Sequence, residues 1–276
     1  MGGAQSMNIK RICVLYFSPT GGTEKIARLA AGNLAEKLGL EPEFIDFTRP
    51  ENRQAEYRFQ ADDLLVMASP VYAGRLPNKL MPEYKAKILG DATPAIPICV
   101  FGNRSPDEAL RELVLLLEGN GFQIAGAASF AGRHAFSDKV GAGRPDETDQ
   151  AEIRDFAARA AAKLSGDTLP PLELDRSEIG PYYTPLKEDG APAKFLKARP
   201  LTDWSRCSHC GVCARSCPMG SIDRETMEAT GLCVKCQACV RKCTRRAKFF
   251  EDADFLSHVA MLEQNYTRRA ENTVLL

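Results

Sequence analysis

Cys207-x-x-Cys210-x-x-Cys213-x-x-x-Cys217-Pro218 and, further on, Cys233-x-x-Cys236-x-x-Cys239-x-x-x-Cys243 hold eight of the ten cysteines in this chain of 276 residues. Each cysteine of the second run lies 26 positions after its counterpart in the first. The segment is therefore an internal repeat, two short units that pack about a pseudo-dyad. Closely spaced cysteines let one loop supply three thiolates to one centre. Gly211, in the first loop, lets backbone N–H groups approach those sulfurs. Zinc is the plain alternative, since Cys-x-x-Cys pairs also build zinc ribbons. Zinc takes four ligands per ion, and it gives no reason for a third cysteine two residues on and a fourth three after that. Disulfides fit worse, because no hydrophobic signal region opens the chain.

The spacing resembles the thiolate run of bacterial two-cluster ferredoxins, in which three cysteines of a run hold one cubane and the fourth ligates the other. The resemblance implies two [4Fe–4S] clusters. Cys207, Cys210, Cys213 and Cys243 would hold the first, and Cys233, Cys236, Cys239 and Cys217 the second. One position departs from the pattern: Thr244 stands where a proline follows the last cysteine, which alters a turn and not a ligand.

The chain length suits about two domains. Basic and acidic residues balance at 36 each, so composition points to no nucleic-acid patch and no polybasic membrane anchor. No apolar run approaches the ~18 residues of a spanning helix. A cytoplasmic, reduced setting is expected. Met1 to Ser6 loosely fits an N-myristoylation pattern, but reads better as a ragged start before Met7.

The first ~165 residues carry a different pattern. Short apolar runs at Ile12–Phe17, Glu43–Phe47, Leu64–Ser69, Ile96–Phe101 and Ile124–Phe130 read as five strands. Amphipathic helices lie between them, one over residues 23–38 with Ile26, Leu29, Ala30 and Leu34 on one face. Ser105-Pro106-Asp107-Glu108 reads as a capping box that opens another, and Ile153, Phe156, Ala157, Ala160 and Leu164 mark a last one. Strands without polar alternation imply a sheet covered on both faces. Alternating strand and helix implies a doubly wound, five-stranded parallel sheet, order 2-1-3-4-5. Such sheets bind ligands beyond the carboxyl ends of strands 1 and 3.

Three loops lie there. Ser18-Pro19-Thr20-Gly21-Gly22-Thr23 has hydroxyls and glycines before a helix, which suits a phosphate. It lacks the Gly-Lys-Ser/Thr element of a Walker loop. Pro70-Val71-Tyr72-Ala73-Gly74 offers an aromatic face to a flat ring, and Gly102-Asn103-Arg104 offers polar groups to a ring edge. The first loop looks like the flavodoxin phosphate loop, and the other two resemble the loops that bracket the flavin. This resemblance implies FMN, with Tyr72 against the ring. Together with the cysteine runs, residues 10–250 resemble the flavodoxin–ferredoxin fusion proteins, found mostly in anaerobes. The segment from His134 to Ser137 through Gly143 to Asp146 also looks like a feature of those fusions.

The expected organisation is a flavodoxin-like domain over residues 8–165, a proline-rich strap over 166–200, a small α+β two-cluster ferredoxin-like domain over 201–250 and a helical tail over 251–276. His134 is a candidate proton relay. Cys13 and Cys99, inside apolar strands, read as core hydrophobes. Lys235, Arg241, Lys242, Arg245, Arg246 and Lys248 crowd the second cysteine run. They read as a solvated face or as a dock for an acidic redox partner. The functional expectation is an electron carrier between FMN and the clusters. The alternatives are a flavin-dependent reductase, with Arg104, Arg133, His134 or Arg144 orienting a small substrate, and a redox sensor.

Overall fold

The computed structural model describes residues 7–166 and 168–276, so the Met1 to Ser6 opening lies outside the described residues. The chain begins with strand β1 (Arg11–Tyr16), helix α1 (Gly22–Leu38), β2 (Pro42–Asp46), β3 (Asp63–Pro70) and α2 (Met81–Lys87). It continues with β4 (Thr93–Phe101), α3 (Ala109–Gly119), β5 (Ala127–Ala131) and α4 (Glu147–Leu164). These five strands pair in parallel in the order β2-β1-β3-β4-β5, the flavodoxin-like doubly wound order.

The apolar strands are the physical reason for this architecture. Every residue of β4 is buried, so both faces of the sheet need a cover. Ile26, Ala30 and Leu34 of α1 pack with Ile153, Phe156 and Ala160 of α4 on one face. Tyr84, Leu113 and Leu117, from α2 and α3, cover the other. Each large aliphatic side chain removed from water contributes roughly 1.5–3 kcal/mol relative to exposure.

Two local expectations are corrected. The fifth apolar run splits: Phe122–Ile124 pairs with the start of β4, and β5 pairs with its end. The Ser105 sequence is not a capping box. Asp107 adopts φ 40, its N–H donates to the Ser105 hydroxyl at 3.1 Å, and its carboxylate takes the Arg104 guanidinium. That closed turn delays the helix to Ala109, where no side chain caps it. A capping box does form at α4, between Asp146 and Asp149.

From residue 168 to 185 the chain runs without helix or strand over α3 and the turn after β3, and residues 186–192 then fold back as a tight turn beside the tail. Arg111 donates to the carbonyls of Ser177 (2.9 Å) and Glu178 (3.1 Å). The Tyr183 N–H donates to Ala73 O (2.8 Å), and the Tyr182 hydroxyl donates to Leu76 O (2.8 Å). The cysteine-rich part follows, with β6 (Leu201–Thr202), α5 (Val212–Arg215), α6 (Ala238–Arg241) and β7 (Lys248–Phe249), β6 and β7 pairing antiparallel. Its internal symmetry is visible in the backbone. Left-handed residues recur 26 positions apart at His209 and Lys235 (φ 53 and 54), Gly211 and Gln237 (70 and 66), and Gly220 and Arg246 (61 and 51). Buried Arg53 joins the two parts, donating to Thr48 O (2.6 Å) and to Pro218 O (2.7 Å).

The tail begins as the helix the sequence suggests, α7 (Ala253–Asn265), capped by the Asp252 side chain. It then turns back as strand β8 (Thr273–Leu275), antiparallel on the edge of β5. Strands this short are not distinguishable by periodicity, so β8 left no sequence signal.

Candidate functional site: a cavity between the sheet and the cysteine loops

A cavity of about 240 Å³ opens at the carboxyl ends of β1, β3 and β4. Pro19, Thr20, Gly22 and Thr23 line one end, ahead of α1. The N-cap of α1, Gly21, is left-handed at φ 88 and has no side chain to cap the helix. The first-turn N–H groups other than that of Glu24, with the helix dipole, suit an anion. The Ser18 hydroxyl faces elsewhere, accepting the Glu24 N–H at 2.9 Å, and the Thr48 hydroxyl accepts the Ser18 N–H at 2.8 Å.

Pro70, Val71, Tyr72 and Ala73 form one wall. Tyr72 and Arg75 exchange backbone hydrogen bonds of 2.8 and 3.1 Å around Ala73 and Gly74, both at positive φ. Gly74 faces away from the cavity. A Cβ there would meet the Asp107 carboxylate at 2.2 Å. Tyr72 has its phenol pushed well above the ordinary range, first by burial and then by nearby Cys236.

Gly102, Arg104 and His134 form the opposite wall. Gly102 is required for contact: a Cβ would lie 2.4 Å from His134 Cδ2. The His134 Nδ1 accepts the Phe136 N–H at 3.1 Å, and burial, with His258 nearby, lowers its pKa to about 4. Arg104 lies 4.0 Å above the Tyr183 ring. Arg133, on the rim, pairs with Asp138 at 3.2 Å.

Two more expected site residues, besides Ser18 and Gly74, lie elsewhere. Asn103 is buried and donates to Tyr266 O (2.9 Å) and Arg268 O (2.8 Å), while its oxygen accepts from Arg144 (3.0 Å) and the Ala270 N–H (3.1 Å). Arg144 forks onto Asp149 at 3.0 and 2.5 Å. Burial alone would raise the Asp149 pKa, but hydrogen bonds from Arg144 and Asn272 outweigh it and hold the carboxyl well below its usual range. These residues fasten the tail to the sheet. Sequence could not show this, because the tail groups they bond lie more than 120 positions away.

His258 was missed. It sits on α7, lines the cavity and holds Leu186 O at 2.8 Å from Nδ1. Tyr183, Pro185 and Phe195 roof the cavity from the strap. The last wall is Val234-Lys235-Cys236 of the second cysteine run.

The eight cysteines divide between two smaller cavities. One is lined by Cys207, Cys210, Cys213 and Cys243, the other by Cys217, Cys233, Cys236 and Cys239. The thiols ring each void rather than converge on a point. Among the described residues, no three His, Cys, Asp or Glu are placed to hold a single metal ion. Equivalent backbone donors reach the fourth sulfur of each run, Ser221 N–H to Cys217 Sγ (3.3 Å) and Ala247 N–H to Cys243 Sγ (3.2 Å). Burial pushes the Cys236 thiol far up and Cys239 to about 12. Their thiolate forms therefore need positive charge beside them. Cys210, in the first set, is exposed. Cys13 and Cys99 are buried among sheet residues, and burial raises both thiols.

The basic cluster is smaller than its sequence suggests. Lys248 is buried on Thr202 (2.6 Å), Lys235 bonds to Leu196 O and Cys233 O, and Arg241 bonds to Ala135 O (3.0 Å) and Asp138. Lys242, Arg245 and Arg246 remain exposed. Among the described residues, no helix is long and apolar enough to cross a membrane.

Residues 200–223 match the Fer4 family, the 4Fe-4S binding domain. No curated protein matches the chain. Among solved structures, the chain is similar to an archaeal flavodoxin (14% identity, 56% of this chain, 99% of that one, TM-score 0.40). It is similar also to a flavodoxin from Streptococcus pneumoniae TIGR4 (21% identity, 56% and 99%, TM-score 0.40). A third is the oxidised flavodoxin 2 of Bacillus cereus (18% identity, 56% and 99%, TM-score 0.39). The fold assignment rests on the sheet order itself. The flavodoxin-like sheet is thus joined to a region that matches a 4Fe-4S binding domain.

Proposed function

We propose that the chain is a flavo-iron–sulfur electron relay, with FMN in the large cavity and [4Fe–4S] clusters in the two cysteine-lined ones. One observation carries the reading: Cys236 lines both the second cysteine cavity and the large cavity that holds Thr20 and Tyr72. A cluster there would touch the flavin's own wall. The first cysteine set, with Cys210 exposed, lies on the outward side. The order runs from surface to first cluster, second cluster and flavin.

FMN, when bound, supplies a carrier of two electrons taken one at a time, and each cluster carries one. The chain's residues do the positioning. Thr20, Gly22, Thr23 and the start of α1 would hold the phosphate. Tyr72 and the Gly102–His134 wall would hold the ring, and the strap would exclude water from it. The residues fit an anionic, planar ligand, since among the described residues no Asp or Glu lines the cavity. The thiols fit iron–sulfur cubes, because four sulfurs surround a void in each case. Lys242, Arg245 and Arg246 offer an acidic redox carrier its landing.

Protein isolated without air tests this. The expected content is eight irons, eight sulfides and one FMN per chain, and reducing the clusters should bleach the flavin in a single turnover. Iron without flavin, or clusters that never reduce the bound flavin, would overturn it. A second reading, flavin-dependent reduction of a small substrate, is favoured by the roofed cavity and by Arg104, Arg133 and His134 on its walls. Turnover of a small acceptor with a saturable KM decides between them.

A further inference from the structure

Two histidines face the large cavity, and their hydrogen bonds fix different chemistry on each. The Phe136 N–H can only donate, so the His134 Nδ1 that receives it carries no proton, and the ring's hydrogen is on Nε2. The Leu186 carbonyl can only accept, so the His258 Nδ1 carries the hydrogen and Nε2 keeps its lone pair. Protonating His134 would break its bond to Phe136. Protonating His258 at Nε2 leaves its bond to Leu186 intact.

The two rings meet the same side chain, Phe136, with centroids 5.1 and 6.3 Å from it. The cavity's other proton-bearing groups are unsuited to exchange. Burial holds the Tyr72 and Tyr183 phenols above their ordinary range, and the Lys235 ammonium is tied to backbone carbonyls. The charged groups facing the pair are cations: Arg104 from the loop after β4, its rim neighbour Arg133, and Arg241 from α6. Burial lowers the pKa of both imidazoles, with Arg104 adding to the effect on each and Arg241 on His134, which favours their neutral forms. Negative charge arriving on a bound ring would reverse that balance.

We infer that His258 carries the proton that accompanies reduction of the bound flavin, and that His134 is a fixed, neutral hydrogen-bond donor to it and not a relay. This rests on the FMN reading above. Two electrons reach the ring one at a time through the clusters, which an external one-electron carrier refills. As negative charge reaches the ring, neutral His258 takes a proton from solvent at Nε2 and passes it to the ring, returning to its neutral form. The ring gains two electrons and one proton, while His134 keeps its hydrogen throughout.

The test uses full-length protein with its flavin and iron, made without air. His258→Asn keeps a donor for Leu186 O but has no basic nitrogen. His134→Gln keeps an N–H where Nε2 was. After rapid reduction of the clusters, flavin bleaching is timed in H2O and D2O across the neutral pH range, and FMN content is measured separately. His258→Asn should bind FMN as the wild type does, yet bleach about 10²-fold more slowly, with the solvent isotope effect and pH dependence lost. In His134→Gln the solvent isotope effect and the pH dependence of bleaching should persist whatever its absolute rate, and His134→Phe should bind FMN more weakly. Wild-type rate and isotope effect in His258→Asn, with FMN bound, overturn this inference alone. So does loss of the isotope effect and pH dependence in His134→Gln. Wild-type protein that holds no flavin overturns the FMN reading and this one with it.

Discussion

Gly102→Ala tests whether the close approach of Gly102 to His134 shapes the cavity. The added Cβ would lie 2.4 Å from His134 Cδ2, 2.8 Å from Cγ and 3.0 Å from the backbone α-carbon. Carbon atoms rest at roughly 3.5–4.0 Å, so the imidazole must retreat by about 1 Å. It cannot do so freely: Nδ1 is held by the Phe136 N–H at 3.1 Å, and the ring packs edge-on against Phe136. Overpacking of this kind costs about 1–3 kcal/mol. Denaturant unfolding of Gly102→Ala, His134→Ala and the double variant forms a cycle. Gly102→Ala should cost about 1–3 kcal/mol in the wild-type background. In the His134→Ala background it should cost much less, because the ring is gone and only the backbone of residue 134 still crowds the new methyl group. The FMN affinity of Gly102→Ala should fall as well, because the displaced ring enters the cavity. An equal cost in both backgrounds, or no cost in either, would refute the imidazole as the reason for glycine.

Thr20→Val should weaken FMN binding by about 1–3 kcal/mol while leaving iron content unchanged, read by fluorescence titration; unchanged retention removes Thr20 from the phosphate site. Asp149→Asn leaves buried Arg144 without its charged partner and should cost about 3–5 kcal/mol at neutral pH. Because the folded Asp149 pKa is lowered, its contribution is complete above the ordinary carboxylate value near ~4 and fades as pH falls below it. Thermal midpoints of the two proteins should therefore converge in acid; a constant gap contradicts the pair. Reduction by an acidic carrier should slow steeply as the screening length shrinks from roughly 30 Å at 0.01 M salt to 3 Å at 1 M. Charge-neutral Lys242, Arg245 and Arg246 variants should flatten that slope, and a rate flat in salt for the wild type excludes steering.

Much of the fold was legible because its causes are local. The strands from Ile12, Leu64 and Ile96 are continuous apolar runs, and a run buried on both faces needs helices on both. The cysteine spacing fixes which sulfurs one loop can present together, and the 26-residue repeat carries through to φ even where Gln237 stands in place of glycine. Of the loop residues expected around the ligand, Thr20, Tyr72, Gly102 and Arg104 do reach the cavity. Those turned elsewhere are governed by partners far along the chain. Asn103 and Arg144 read as ring and substrate contacts because they neighbour the right loop, but the returning tail claims their hydrogen bonds.

The sequence by itself determined the parallel sheet, the two cysteine sets and the hydroxyl- and glycine-rich loop ahead of α1, since hydrophobic period and covalent spacing act within a few residues. Tertiary packing alone decided that Cys236 lines the same cavity as Tyr72, that the strap closes the roof and that His258 faces the cavity. Those juxtapositions join segments separated by more than a hundred residues. They follow from how whole surfaces fit together, which no local pattern records.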